Sequence, residues 1–268
     1  DIDSDKWLQY GQSKPWPLSW VYAREGNKLR QFEMDVARRF DATTFVSGTE
    51  AADFRKLSGI GDDRVMHVNN GVNTDYFDPE LVLPDPYQAA GPVLVFTGAM
   101  DYWPNIDAVE WFVQQILPKL RMHVPALQFY IAGARPTEAV LALARQPGVV
   151  VTGGVPDIRP YIRHATLAVA PLRIARGVQN KVLEAMALGK LVVASPQAAE
   201  GIEAEPGRHL LVAADAAAFV DTILAALAEP GSPMGSAARA HMLQCYGWDA
   251  SLARFDRLFA MPRSAPLA

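Results

Sequence analysis

Between residues 171 and 190 the sequence reads PLRIARGVQNKVLEAMALGK, which gathers Arg173, Arg176, Lys181, the bare backbone of Gly177 and one carboxylate, Glu184, at the approach to a short helix predicted over 180–188. A helix N-terminus carries unpaired N–H groups and a partial positive charge, so cations beside it are unfavourable unless an anion occupies the space. Asn180 is placed to cap that helix, and Lys181 and Glu184, three apart, share one of its faces. Three cations around one helix start suit a diphosphate held by backbone amides and charge-assisted hydrogen bonds. Glu184, one turn further in, is placed to accept from a vicinal diol such as a ribose. Phosphate at the mouth and sugar hydroxyls deeper describe a nucleotide diphosphate sugar. The plainer alternative is a solvated Lys–Glu pair of little energetic consequence.

The elements that would position these groups can be read from apolar patterning. Continuous apolar runs at 93–98, 127–133, 149–154 and 165–172, joined by helices at 105–121, 136–145 and 157–164, are the strands of a parallel sheet covered on both faces. Further strands at 190–196 and 209–213 and a helix at 215–227 complete a doubly wound domain. In such a sheet ligands bind beyond the carboxyl ends of the strands. Gly98, with AMDYWPN behind it, Gly133 before ARP, the pair Gly153 and Gly154, and the cation loop all fall at those ends. One glycine there satisfies an unusual backbone angle. Four together favour a ligand the size of a nucleotide. Ahead of this domain, residues 24–40 space Leu29, Phe32, Val36 and Phe40 along one helical face, and DATTFVSG, a helix capped by Thr49, and RVMHVNNGV form a strand–helix–strand unit. Residues 77–92 hold four prolines without periodicity, the composition of a linker.

Composition bounds the function. With 268 residues and a net charge of −4, the chain can bury a large core but offers no general attraction to nucleic acid, so an anion site must be local. Cys245 is the single cysteine and reads as a packed, inert thiol in a reducing, cytoplasmic setting. No apolar run approaches the ~20 residues that cross a bilayer. DIDSD, with three acids in five residues, is read as a polar strand end rather than a divalent-ion site. Cations and a helix dipole can answer the charge on a departing diphosphate, so neither metal nor cofactor is expected. The five histidines read as surface or packing residues. Trp7, Trp16 and Trp20 with Lys14 and Arg24 are placed either to rest on an anionic membrane surface or to pack against further protein.

NNGVNTDYF at 69–77, followed by an α/β domain containing GVQNKVLEAMALGKLVVAS, resembles the bacterial family 4 glycosyltransferases of the two-domain GT-B fold. DIDSDKW, FTGAMDYWPN, VTGGVPDIRPYI and PLRIARGVQNKVLEAMA are similar to a subgroup associated with exopolysaccharide gene clusters of exosortase-containing bacteria. The resemblance implies an α/β, GT-B-like chain. Residues 1–78 would be the end of a partial, Rossmann-like acceptor domain, 79–92 a linker, 93–245 the complete donor domain and 246–262 a helix crossing back to the first domain. It also implies an N-terminal part beyond this sequence, with early strands, most of the acceptor surface and a histidine near the reacting sugar. The donor loops would be Gly98 to Asn105, including Asp101, and Gly153 to Asp157, with Glu184 on the ribose. Where the family has the first of its two glutamates this sequence has Arg176, which would suit a donor sugar bearing its own carboxylate. The family's basic clamp is not evident in AMDYWPN, which leaves the diphosphate to Arg173 and Lys181. The implied activity is retaining, metal-independent transfer from a nucleotide sugar to a glycan or lipid-linked acceptor. A sugar-nucleotide epimerase of similar fold and a non-catalytic nucleotide-binding remnant are the alternatives.

Overall fold

A computed structural model describes residues 2–259 apart from 89 and 176. The chain divides into two units, one holding residues up to Asn70 together with those from Ser251, the other Gly71–Ala250.

In the first unit, α1 (Asp3–Ser13) packs along α2 (Leu18–Arg39), with the Trp7 and Tyr22 rings 5.5 Å apart. The acidic start is therefore helical rather than a strand end. Asp5 and Ser4 find partners on α2: Arg30 donates to Asp5 at 2.8 Å and Ser4 Oγ to Glu33 at 2.6 Å. α2 begins earlier than its apolar spacing predicts, and that spacing does not mark its packed side. Phe32 is 64% exposed and Phe40 62%, whereas Gly26 and Ala37 are buried, because close helix contact here uses small residues. Strand β1 (Thr43–Phe45), α3 (Gly48–Ser58) and β2 (Val65–His67) form the expected parallel unit, with Thr43 opposite Val65. Ser47, not Thr49, caps α3 by accepting from the Glu50 amide at 3.2 Å. Ala37, Phe45, Ala51, Phe54, Ile60 and Val65 make up most of this small core.

The second unit starts with a segment that the sequence marks as a linker but that is fastened along its own unit. Arg239 donates to the carbonyls of Thr74 and Phe77, Arg163 to that of Pro79, His164 contacts that of Leu83, and Tyr87 donates to that of Tyr161. Then come β3 (Val93–Thr97), α4 (Trp103–Trp111) running through a π-helical stretch Phe112–Ile116 into α5 (Leu117–His123), β4 (Gln128–Ala132), α6 (Glu138–Leu143), β5 (Val149–Gly153), α7 (Arg159–His164) and β6 (Leu167–Ala170). The unit continues with α8 (Asn180–Ala187), β7 (Val192–Ala194), α9 (Pro196–Ala199), β8 (Leu211–Val212), α10 (Ala216–Ala228) and α11 (Met234–Cys245). In the last helix, α12 (Trp248–Phe259), Ser251 is buried while Leu252 and Phe259 are exposed. Cys245 is half-buried and free. Residues 260–262 of the predicted crossing helix and the tail behind them lie outside the described residues.

The six strands pair in parallel in the order β5-β4-β3-β6-β7-β8. β3 is buried along its whole length and β6 likewise, as strands covered on both faces must be. The rings of Phe112 and Phe129 pack with centroids 4.5 Å apart and planes tilted by 36°, each fully buried and worth about 2 kcal/mol of transfer free energy. In this order the chain reverses direction across the sheet between β3 and β6, and the crevice at that switch point is where a doubly wound sheet takes its ligand.

Candidate functional site

Backbone contact builds the floor of that crevice. Beyond β3 lies Gly98, φ +154°, where an added Cβ would stand 2.7 Å from Asn105 Nδ2 and 3.2 Å from Lys181 Nζ. Beyond β4, a Cβ on Gly133 would fall 1.7 Å from the Gly98 carbonyl oxygen, so only glycine lets the two strand ends close up. Gly98 donates its amide to Ala132 O and Gly133 donates to Gly153 O, each at 3.2 Å, which laces three strand ends together.

Over this floor opens a cavity of about 480 Å³. Gly98, Ala99, Tyr102 and Asn105 line it from β3 and α4, Gly133 to Arg135 from β4, Gly154, Val155 and Ile158 from beyond β5, and Gln179, Lys181 and Glu184 from α8. Asn105 is buried in the first turn of α4. Its Nδ2 donates to Ala99 O at 2.9 Å, which turns Oδ1 toward Lys181 Nζ, 2.5 Å away. The same ammonium lies 4.1 Å from the centre of the Phe96 ring. Lys181 is thus held by a neutral amide and an aromatic face, with no carboxylate in ion-pair distance among the described residues. Burial pulls its ammonium down to about 7, against the opposing pull of Glu184. Burial likewise pushes the Glu184 carboxyl up to about 7, with Lys181 opposing. Glu184 is half-buried, and its carboxylate has no hydrogen-bond partner among the described residues. A half-desolvated cation and an unbonded carboxylate facing one cavity are groups whose partners would be supplied by a ligand.

Of the residues singled out in the sequence, Gly98, Asn105, Gly154, Lys181 and Glu184 line this space. Gly153, φ +69°, precedes the lining residue Gly154 without lining the space itself. Gly177, φ +64°, is backed by Gly201, whose added Cβ would be 2.4 Å from the Gly177 carbonyl, so the loop before α8 is fixed from behind. Asn180 does not cap α8. Gln179 holds the N-cap position with no side-chain cap, and Asn180 is the exposed first helical residue. Arg173 does not line the cavity either. Its guanidinium forks onto Asp107 of α4, Nε to Oδ2 at 2.9 Å and Nη2 to Oδ1, with the Trp111 ring 5.7 Å away. Arg173 is thus turned onto α4 and away from the wall shared by Lys181 and Glu184. Asp101 faces a cation: Arg135 Nε donates to Oδ2 at 2.5 Å and Nη2 to Oδ1 at 3.2 Å, which holds the Asp101 carboxyl below its ordinary range. Arg176 lies outside the described residues.

Sequence reasoning gave no role to Arg135, Tyr102 or Gln179. The signal for Arg135 was a cation immediately behind a strand-end glycine, in Gly-Ala-Arg-Pro, a position equivalent to that of the cation loop behind β6. Its backbone is left-handed, φ +52°, at a cost of about 1 kcal/mol relative to glycine.

A family profile described as "Glycosyl transferases group 1" matches residues 91–229. No curated protein matches the chain. Among solved structures, a glycosyltransferase from Rickettsia africae aligns with TM-score 0.69 at 17% identity, over 87% of this chain and 66% of that one. Sucrose-phosphate synthase from Thermosynechococcus elongatus aligns with TM-score 0.69 at 20% identity, over 87% and 61%. HepE from Anabaena, in complex with UDP and glucose, aligns with TM-score 0.70 at 14% identity, over 87% and 67%. At these identities the likeness shows a shared fold, and the chain spans about two thirds of the length of each structure.

Proposed function

The chain belongs to the glycosyl transferases group 1 family, and from that premise we propose that it binds a nucleoside-diphosphate sugar in the cavity over β3 and β4 and passes the sugar to a glycan or lipid-linked acceptor. One observation carries the proposal: Lys181 and Glu184, one turn apart on α8, face the same strand-end cavity, the first without a carboxylate partner and the second without a hydrogen-bond donor among the described residues. A diphosphate restores the charge of Lys181 and uses the positive end of α8, while Glu184 accepts from sugar hydroxyls. That the Anabaena neighbour was crystallised with UDP and glucose supports the same ligand class here.

In the transfer step the anomeric carbon gains cationic character while negative charge collects on the departing diphosphate. Lys181, rigidly placed by Asn105 and Phe96, stabilises that charge without reorganising. The proposal includes retention of configuration, independence of metal and cofactor, a bacterial exopolysaccharide or cell-surface glycan as product, and action in the cytoplasm. It also includes contact with an anionic membrane surface through Trp16 (82% exposed), Leu18 and Trp20, beside Lys14 and Arg24. Wild-type chain that stays in the supernatant with anionic vesicles would contradict membrane contact, and co-sedimentation that survives Trp16→Ser with Trp20→Ser would contradict contact through this face.

A thermal-shift panel of UDP-, GDP- and ADP-sugars, neutral and uronate, tests the whole. The matching donor at 100 times its Kd adds about 2.7 kcal/mol of stability, and Lys181→Ala abolishes the gain. If no sugar nucleotide raises Tm, or the gain persists in Lys181→Ala, the proposal fails. A uronate donor that outperforms its neutral counterpart would place Arg176 beside the sugar, and equal shifts would exclude that.

A further inference from the structure

Arg135 is the one non-glycine residue with a left-handed backbone among those described. Its turn is clamped from both sides: Met100 donates its amide to Ala134 O at 2.8 Å, and Thr137 donates its own to Met100 O at 3.4 Å. Glycine would meet this backbone demand with less strain, as it does at Gly98, Gly153 and Gly177 on neighbouring strand ends. The turn itself therefore gives no reason for a long cationic side chain. What the position supplies is a guanidinium at the cavity wall.

That guanidinium is two-thirds exposed, and its fork is occupied only by Asp101, which does not itself line the cavity. Lys181 is the other cation on the described wall, and it sits deep, with one of its three donors committed to Asn105. A diphosphate carries charge on two phosphorus centres, and a single recessed ammonium answers one of them. The forked guanidinium can donate to phosphate oxygens with the same two-point geometry that it now offers a carboxylate.

We propose that Arg135 is the second diphosphate-binding cation of the cavity, parked on Asp101 in the free chain and transferred to the ligand's phosphate on binding. The inference rests on the cavity being a nucleoside-diphosphate site and adds to it a named residue and a latch. Asp101 competes with the ligand for the fork. Removing the carboxylate therefore strengthens binding, while removing the guanidinium weakens binding of the diphosphate far more than that of the monophosphate.

Calorimetric titration of the full chain with UDP, GDP and ADP, and with the monophosphate of whichever binds tightest, tests this. The wild type is expected to prefer diphosphate over monophosphate by about tenfold or more. Arg135→Gly should bring that preference close to unity while keeping the monophosphate affinity and an equal or higher Tm, and Arg135→Lys should restore part of it. Asp101→Asn should tighten diphosphate binding several-fold. If Arg135→Gly keeps the wild-type preference, or Asp101→Asn weakens binding as much as Arg135→Gly does, the latch is wrong while the site stands. Failure of the wild type to bind any of the three diphosphates would overturn site and latch together.

Discussion

Lys181 and Glu184 give the site opposite pH signatures. Glu184 has its folded-state pKa raised from 4.5 to about 7, so its contribution to stability is complete below pH 4.5 and is lost as pH rises through 7. Lys181 has its folded-state pKa lowered from 10.5 to about 7, so the unfolded chain binds more protons between pH 7 and 10.5 and stability recovers across that window. Without ligand the pair thus places a stability minimum near neutrality. Glu184→Gln should flatten the fall between pH 4.5 and 7 in urea melts followed by circular dichroism, and an unchanged slope would show that Glu184 is not desolvated. For the ligand Lys181 and Glu184 act in the same direction, since above pH 7 the first loses its positive charge and the second gains a negative one: diphosphate affinity should decline there, with proton uptake on binding when titrations are repeated in buffers of different ionisation enthalpy. At this scale the shared wall of Lys181 and Glu184 follows from a spacing local to one helix. The contact of Arg173 with Asp107, 66 residues away in sequence on α4, is announced by no local pattern.

Elements explain both what was readable and what was not. The strands of the large sheet were visible as unbroken apolar runs, because a strand buried on both faces leaves no alternation to misread. The helix beginning at Asp3 and the exposure of Phe32 and Phe40 were not, since α1 lies along α2, a pairing that no local period announces. Cap assignments failed by one or two residues at Thr49 and Asn180, where several polar side chains compete for the same position. The joint between β3 and β4 is the element on which the site depends most. Gly133→Ala drives a Cβ into the Gly98 carbonyl and should cost about 3 kcal/mol or more in denaturant unfolding while also weakening diphosphate binding. In the first unit Ser47→Ala should cost about 1 kcal/mol through the lost cap on α3 and leave diphosphate affinity unchanged.

At the scale of the molecule, the two units are unequally built. Gly71–Ala250 contains a six-stranded sheet and an extensive core, whereas the first unit rests on two short strands and a core of a few side chains. Amides of α1 and α2 should therefore exchange at lower opening free energy than those of β3, β4 and β6, and equal protection would contradict the difference in core size. The strand–helix alternation of the large sheet is visible in the sequence from residue 93, whereas the segment before it, linker-like in composition, is fastened to the larger unit by contacts that composition does not show. Hydrogen–deuterium exchange with and without a saturating nucleoside diphosphate maps the cavity over β3 and β4 directly. Protection is predicted to rise together at 97–105, 133–135, 154–158 and 179–184, four segments distant in sequence that meet only at this cavity. Protection confined to other segments, or left unchanged in Lys181→Ala, would contradict the assignment of the ligand to the switch point of the sheet.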